Sequence, residues 1–89
     1  MSGSTVAFGI EIDSEEKLII VQEIDRSFIR DLDSEKEKAK ISTTISSELG
    51  ILVHEIVFVQ PYSLEKTTSG KLMRTKTKQR YNSQKLKTI

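Results

Sequence analysis

Eighty-nine residues, 36% hydrophobic and 30% charged with a net charge of +1, make one small domain that buries roughly 60 to 68% of its unfolded surface. The absence of cysteine excludes disulfides and thiolate metal sites, and the single histidine, His54, cannot hold a metal alone. No apolar run approaches the ~20 residues that span a bilayer, and the first residues lack the pattern of a secretory signal; the default expectation is a cytoplasmic, monomeric protein. The charge is unevenly placed. Residues 1–60 carry six Lys/Arg against twelve Asp/Glu, and residues 61–89 carry eight against one. The last third therefore suits an anionic partner, such as phosphate groups, an acidic protein or nucleic acid.

In chain order, residues 1–5 are expected to lie outside the domain, as a disordered or appended stretch. Residues 6–12 set Val6, Phe8, Ile10 and Ile12 against Ala7, Gly9 and Glu11, the period of a strand with one buried face. After turn chemistry at Asp13 and Ser14, the aliphatic run Leu18-Ile19-Ile20-Val21, continuing to Ile24, predicts a central strand covered on both faces. Their short connection makes an antiparallel hairpin. Phe28, Ile29 and Leu32 are expected to tuck a loop or helical turn onto the sheet.

A helix is predicted over 35–49, with Ser34 and Glu37 as a capping box and Ile41, Ile45 and Leu49 as its buried stripe. Gly50 suits the left-handed position after the last turn, with Ile51 as the accompanying apolar contact. Ile56-Val57-Phe58-Val59 predicts a third strand, ended by Pro61. The helix between strands favours a crossover that leaves this strand parallel to its neighbour. A second helix is predicted from Lys71 or Leu72 to about Tyr81, with Leu72, Met73, Lys76 and Tyr81 on its packed side, and residues 84–89 are expected to fray. The fold class is α+β: a three-stranded sheet, one hairpin plus one strand after a crossover helix, flanked by helices.

The most informative stretch is Lys66-Thr67-Thr68-Ser69-Gly70-Lys71-Leu72-Met73-Arg74. It sets Lys71 behind a hydroxyl-rich glycine turn, between a strand and a basic helix. An ammonium on a flexible stem, projected by such a turn, can reach a carboxylate or phosphate on another surface. Gly70 permits turn conformations closed to other residues, and Thr67, Thr68 and Ser69 can hold the loop by local hydrogen bonds. A phosphate-cradling P-loop is excluded by spacing, since it needs glycine where Glu65 stands and Ser or Thr where Leu72 stands.

The segment from Leu64 to Arg74 resembles the final core motif of adenylate-forming (acyl-activating) enzymes, Pro-Lys-Thr-x-Ser-Gly-Lys-hydrophobic-x-Arg, with Glu65 in place of the proline. Val6-Ala7-Phe8-Gly9-Ile10-Glu11, Ile20-Val21-Gln22-Glu23-Ile24 and Lys78-Gln79-Arg80-Tyr81 look most like the fatty acyl-AMP ligase branch. The resemblance implies the mobile C-terminal domain of such a ligase, over 6–83, without the strand pair and helix that usually precede its first strand. It implies that Lys71 is the catalytic lysine, with Lys66 and Arg74 as possible phosphate or carrier contacts. ATP and magnesium would be bound by a large N-terminal domain and nothing by this part alone, which would be inactive by itself. The acyl group would pass to the phosphopantetheine thiol of a carrier protein, or to coenzyme A. A small nucleic-acid-binding module is the alternative of another class, weakened by the scarcity of aromatic residues for stacking in the basic region.

Overall fold

The computed structural model describes residues 4–64 and 74–89. Two strands, β1 (Thr5–Ile12) and β2 (Glu15–Glu23), form an antiparallel hairpin in the register Thr5 to Gln22 through Ile12 to Glu15. Asp13 and Ser14, with φ of 52° and 66°, make the two-residue turn. Positive φ at both positions gives the backbone twist that matches right-twisted strands. The strand begins earlier than expected, because Thr5 pairs in the ladder and the Ser4 carbonyl accepts the Glu23 N–H at 2.8 Å. Thr5 thus belongs to β1, and Ser4 is hydrogen-bonded to the end of β2.

A short helix, α1 (Arg26–Ile29), follows, capped by Asp25, whose carboxylate accepts the backbone N–H and the hydroxyl of Ser27. Ile29 and Leu32 pack on the sheet as expected, while Phe28 remains 46% exposed. The long helix α2 (Ser34–Leu49) is capped one residue earlier than predicted: Asp33, not Ser34, accepts the Lys36 N–H at 3.2 Å. A carboxylate at this position also complements the positive end of the helix dipole. At the other end Gly50 adopts φ of 66° and donates its N–H to the Ser46 carbonyl, as the glycine reading requires.

The strand β3 (Val53–Val59) lies parallel to β2, giving the order β1-β2-β3. The register steps past His54, pairing Leu18 with Val53 and Ile19 with Glu55, and His54 is exposed. Central β2 divides its side chains between two cores. Ile19 and Val21 join Val6, Phe8, Val59 and Leu64 on one face; Ile20 joins Ile24, Ile56 and Phe58 on the other. Ile41 and Ile45 of α2 cover the second face, and the Lys38 ammonium lies 5.7 Å from the Phe58 ring centroid, a cation–π geometry. Leu49, placed in the buried stripe by its spacing, is 67% exposed, and Ile51 is 45% exposed. The buried stripe of α2 therefore ends at Ile45.

The first face is covered by α3 (Arg74–Asn82). Its packed side is Thr77, 2% exposed, with Tyr81; Lys76, expected there, is exposed. Leu72 and Met73 lie outside the described residues. After α3 the chain does not fray. Gln84, at φ of 58°, donates to the Tyr81 carbonyl and Lys85 to the Arg80 carbonyl, the paired bonds of a Schellman ending. Residues 86–89 then run beside β3: Gln60 N–H donates to the Lys87 carbonyl, Ile89 N–H to the Phe58 carbonyl, and Thr88 bridges Val59. Leu86 packs on the core. The open edge of β3 offers unpaired groups that recruit this tail.

Candidate functional site

Of the predicted site, Lys66, Thr67, Thr68, Ser69, Gly70 and Lys71 lie in 65–73, outside the described residues. The structure describes both flanks of that segment. On the near side, β3 ends at Val59 and the chain turns through Pro61 and Tyr62, the latter at φ of 60°. Ser63 closes the turn, donating its hydroxyl to the Gln60 carbonyl at 2.6 Å. Leu64 then returns to the core, 6% exposed, and its N–H donates to the Glu23 carboxyl at 3.5 Å. Gln60 is itself held by the tail through Lys87 and Thr88.

On the far side, Arg74 opens α3 and is exposed. It lines a groove of about 660 Å³ whose walls include Phe8, Glu16, Lys17, Leu18 and Leu52. Arg74 is therefore available to an anion outside the domain, with apolar and charged groups of the hairpin beside it. Three further cations of α3, Lys76, Lys78 and Arg80, follow along the chain.

Tyr81 fixes the helix. Its ring meets Phe8 edge-on, with centroids 5.6 Å apart and planes at 66°, and its hydroxyl donates to Glu55 of β3. Burial first, and then the hydrogen bond and the negative charge of Glu55, push the Tyr81 hydroxyl up to about 12. The neutral phenol is thus favoured by folding, so its contribution is complete below the ordinary tyrosine value of about 10 and is lost as pH rises from there through about 12. Thermal melting of the chain followed across pH 9 to 12 should fall in that window, and Tyr81→Phe should remove part of the fall. An unchanged profile in the variant contradicts this role.

Sequence spacing overlooked two buried polar groups beside this segment, Glu23 at 7% and Thr77 at 2% exposure. Glu23 was legible, because a period of two places it on the same face as Ile19 and Val21. Among the described residues, no group of three His, Cys, Asp or Glu side chains could hold a metal ion, and no helix is long and apolar enough to cross a membrane.

Comparison with known proteins finds relatives over most of the chain. The chain is 35% identical over 74 residues to the medium-chain-fatty-acid–[acyl-carrier-protein] ligase JamA of Moorena producens, covering 83% of this chain and 12% of that protein. It is 31% identical over 86 residues to a putative fatty-acid–CoA ligase, FadD21, of Mycobacterium leprae, covering 92% and 15%. The chain therefore spans about an eighth of the first relative and about a seventh of the second. Among solved structures, the fatty acid AMP ligase from Legionella pneumophila superposes with a TM-score of 0.81 at 26% identity, over 97% of this chain and 15% of that one. An adenylation-containing module of a keto acid-selecting peptide synthetase superposes with a TM-score of 0.75 at 22% identity, over 92% and 7%, a likeness of fold. No family model matches. In sequence and in fold, this chain belongs with the C-terminal domain of adenylate-forming enzymes, among the fatty acyl-AMP and fatty acyl-CoA ligases.

Proposed function

We propose that the chain is the mobile lid of a fatty acyl-AMP ligase and that its Lys71 assists adenylation of a fatty acid. The observation that carries this reading is the likeness to a fatty-acid–[acyl-carrier-protein] ligase across 83% of the chain. The burial of Leu64 and of Thr77, on either side of the lysine segment in sequence, supports it. Arg74, which follows 65–73 directly, is exposed.

In the first half-reaction a carboxylate oxygen attacks the α-phosphorus of ATP and pyrophosphate leaves. Negative charge gathers between the two reactants, and a preorganised ammonium placed there stabilises it without reorganisation. Lys71 is the group for this task. Arg74 and Lys66 are candidates for contacts to phosphate oxygens or to the carrier. In the second half-reaction the lid turns, Lys71 withdraws, and a thiol attacks the acyl carbonyl, releasing AMP and leaving a thioester.

The acceptor favoured is the phosphopantetheine thiol of a carrier protein, since one relative is named for that acceptor. Coenzyme A is the alternative, named for another. ATP, magnesium and the acyl chain are assigned to a large domain outside this chain. A cytoplasmic location is part of the same proposal. The test is Lys71→Ala in the complete ligase, with acyl-AMP formation and thioester formation from supplied acyl-AMP measured separately. Selective loss of the first is expected, and equal loss of both contradicts the reading.

A further inference from the structure

Residues 74–89 carry six cations, Arg74, Lys76, Lys78, Arg80, Lys85 and Lys87, and no acidic residue. Within α3 the cations are ordered. Side chains four residues apart share a helix face, so Thr77 and Tyr81 form the row that packs on the sheet. Arg74 with Lys78, and Lys76 with Arg80, form cationic rows on either side of it. Away from the sheet, Thr75, Gln79 and Asn82 make a neutral, hydrogen-bonding row, all three exposed. The turn after the helix adds to one cationic row. With Gln84 at φ of 58°, the Lys85 N–H donates to the Arg80 carbonyl at 2.7 Å. Lys85 is thereby brought to Lys76 and Arg80, with Gln79 and Ser83, around an open groove of about 290 Å³.

Folding of the domain gives no reason for this charge. Like charges at positions i and i+4 repel, and both cationic rows are pairs of that kind. No acidic residue stands in the first turn of α3, where one would offset the helix dipole, and of the four helix cations only Arg80 is in the last turn, where a cation is favoured. The arrangement is repulsive within the domain and is relieved by negative charge brought from outside.

The groups that accompany the cations select the partner. A nucleic acid would find no ring on α3 to stack against, since Tyr81 is held edge-on to Phe8 and donates to Glu55. A bilayer would find no apolar row, because the exposed residues of α3 are polar or charged. Neutral hydrogen-bonding groups flanked by long cationic side chains suit an acidic protein surface, whose carboxylates meet the cations at the edges of the contact. We propose that α3 and Lys85 form a docking face for an acidic protein surface. The inference rests on the proposed transfer to a carrier protein, the macromolecule which that reaction brings to this domain, and it requires the carrier to present carboxylates to α3.

The experiment uses the complete ligase supplied with acyl-AMP. It reads kcat/KM for thioester formation on the carrier protein and on free pantetheine, at low and at raised ionic strength, together with acyl-AMP formation and the melting temperature. Lys76→Glu/Lys78→Glu is compared with Lys36→Glu/Lys40→Glu, which changes the net charge equally but on α2. The α3 pair is expected to lower kcat/KM for the carrier by about 10- to 100-fold at low salt and to remove most of its salt dependence. Turnover of pantetheine, which has no protein surface, and acyl-AMP formation should stay close to the parent values. Melting should hold or rise, because each introduced carboxylate gains an arginine four residues away. An unchanged kcat/KM for the carrier overturns the proposal. So does an equal loss from the α2 pair, which marks net charge alone, or an equal loss of acyl-AMP formation, which gives the face to the large domain. Lower melting in the α3 pair also counts against it, since the cations would then serve the fold, as does tighter binding of a single-stranded oligonucleotide or of anionic vesicles than of the carrier. If the unsubstituted ligase acylates coenzyme A and never the carrier, the reading of the acceptor fails first and the proposal with it.

Discussion

Lys71→Ala in the complete ligase should slow acyl-AMP formation by about 10²- to 10³-fold, about 3 to 4 kcal/mol of transition-state stabilisation. The size follows from the chemistry. A carboxylate and a triphosphate repel, and their approach concentrates charge on oxygens that water can no longer solvate fully once a lid closes. A fixed ammonium is worth most under those conditions, because the local dielectric is low and the charge is already in place. Thioester formation has different needs: the thiol attacks a neutral carbonyl, and AMP leaves as its bond to the acyl group breaks. On the proposed reading the lid turns for that step and takes Lys71 away from the reaction, so supplied acyl-AMP should be consumed at close to the parent rate. Binding of ATP, which the proposal assigns to the large domain, should change little, and the loss should fall on kcat.

Ile19→Ala should have the largest effect on stability. Ile19 is fully buried in the central strand, among Val6, Phe8, Val21, Val59 and Leu64. Removing its outer carbons takes away apolar burial and leaves a cavity that rigid strands on both sides cannot close, at a cost of about 2 to 5 kcal/mol. A domain of this size has only on the order of 5 to 10 kcal/mol in hand, so the variant should unfold at far lower denaturant. Leu49→Ala is the natural comparison. The helical spacing of Leu49 assigns it to the core, yet it is 67% exposed, and its replacement should shift stability by about 0.5 kcal/mol or less. Equal shifts in the denaturant midpoint would show that the division between core and surface described above is wrong.

The contrast between these two residues indicates what the amino-acid pattern can disclose. Strand periodicity is short-range and rigid: Val6 and Phe8 must share a face, and a run as apolar as Leu18 to Val21 must be covered on both. The hairpin, the parallel third strand and the α+β class were accordingly legible. Helix faces are less constrained, because helical spacing does not say how far along the helix the core extends, as at Leu49. Asp33 and Ser34 are both sound caps, and only the backbone geometry chooses the aspartate. The tail was misread for a different reason. Its last residues are polar and basic, but pairing with β3 depends on an open strand edge, a long-range fact with no local signature.

The site divides in the same way. The motif that points to Lys71 is a local string and could be recognised, although 65–73 lie outside the described residues. The supports around it are nonlocal. Thr77 reads as an ordinary helix surface residue until α3 is placed on the sheet, and Tyr81 finds Phe8 and Glu55 only through the fold. Glu23 stands between these cases, since its face was readable but its partner, Leu64, was not.

ATP–pyrophosphate exchange tests the central claim most directly, measured on this chain by itself, on the complete ligase, and on the ligase with Lys71→Ala. The account predicts silence from the chain, fatty-acid-dependent exchange from the ligase, and a fall of about 10²- to 10³-fold in the variant. Exchange catalysed by the chain alone, or undiminished exchange in the variant, would contradict a lid that brings its lysine to a reaction centre built elsewhere.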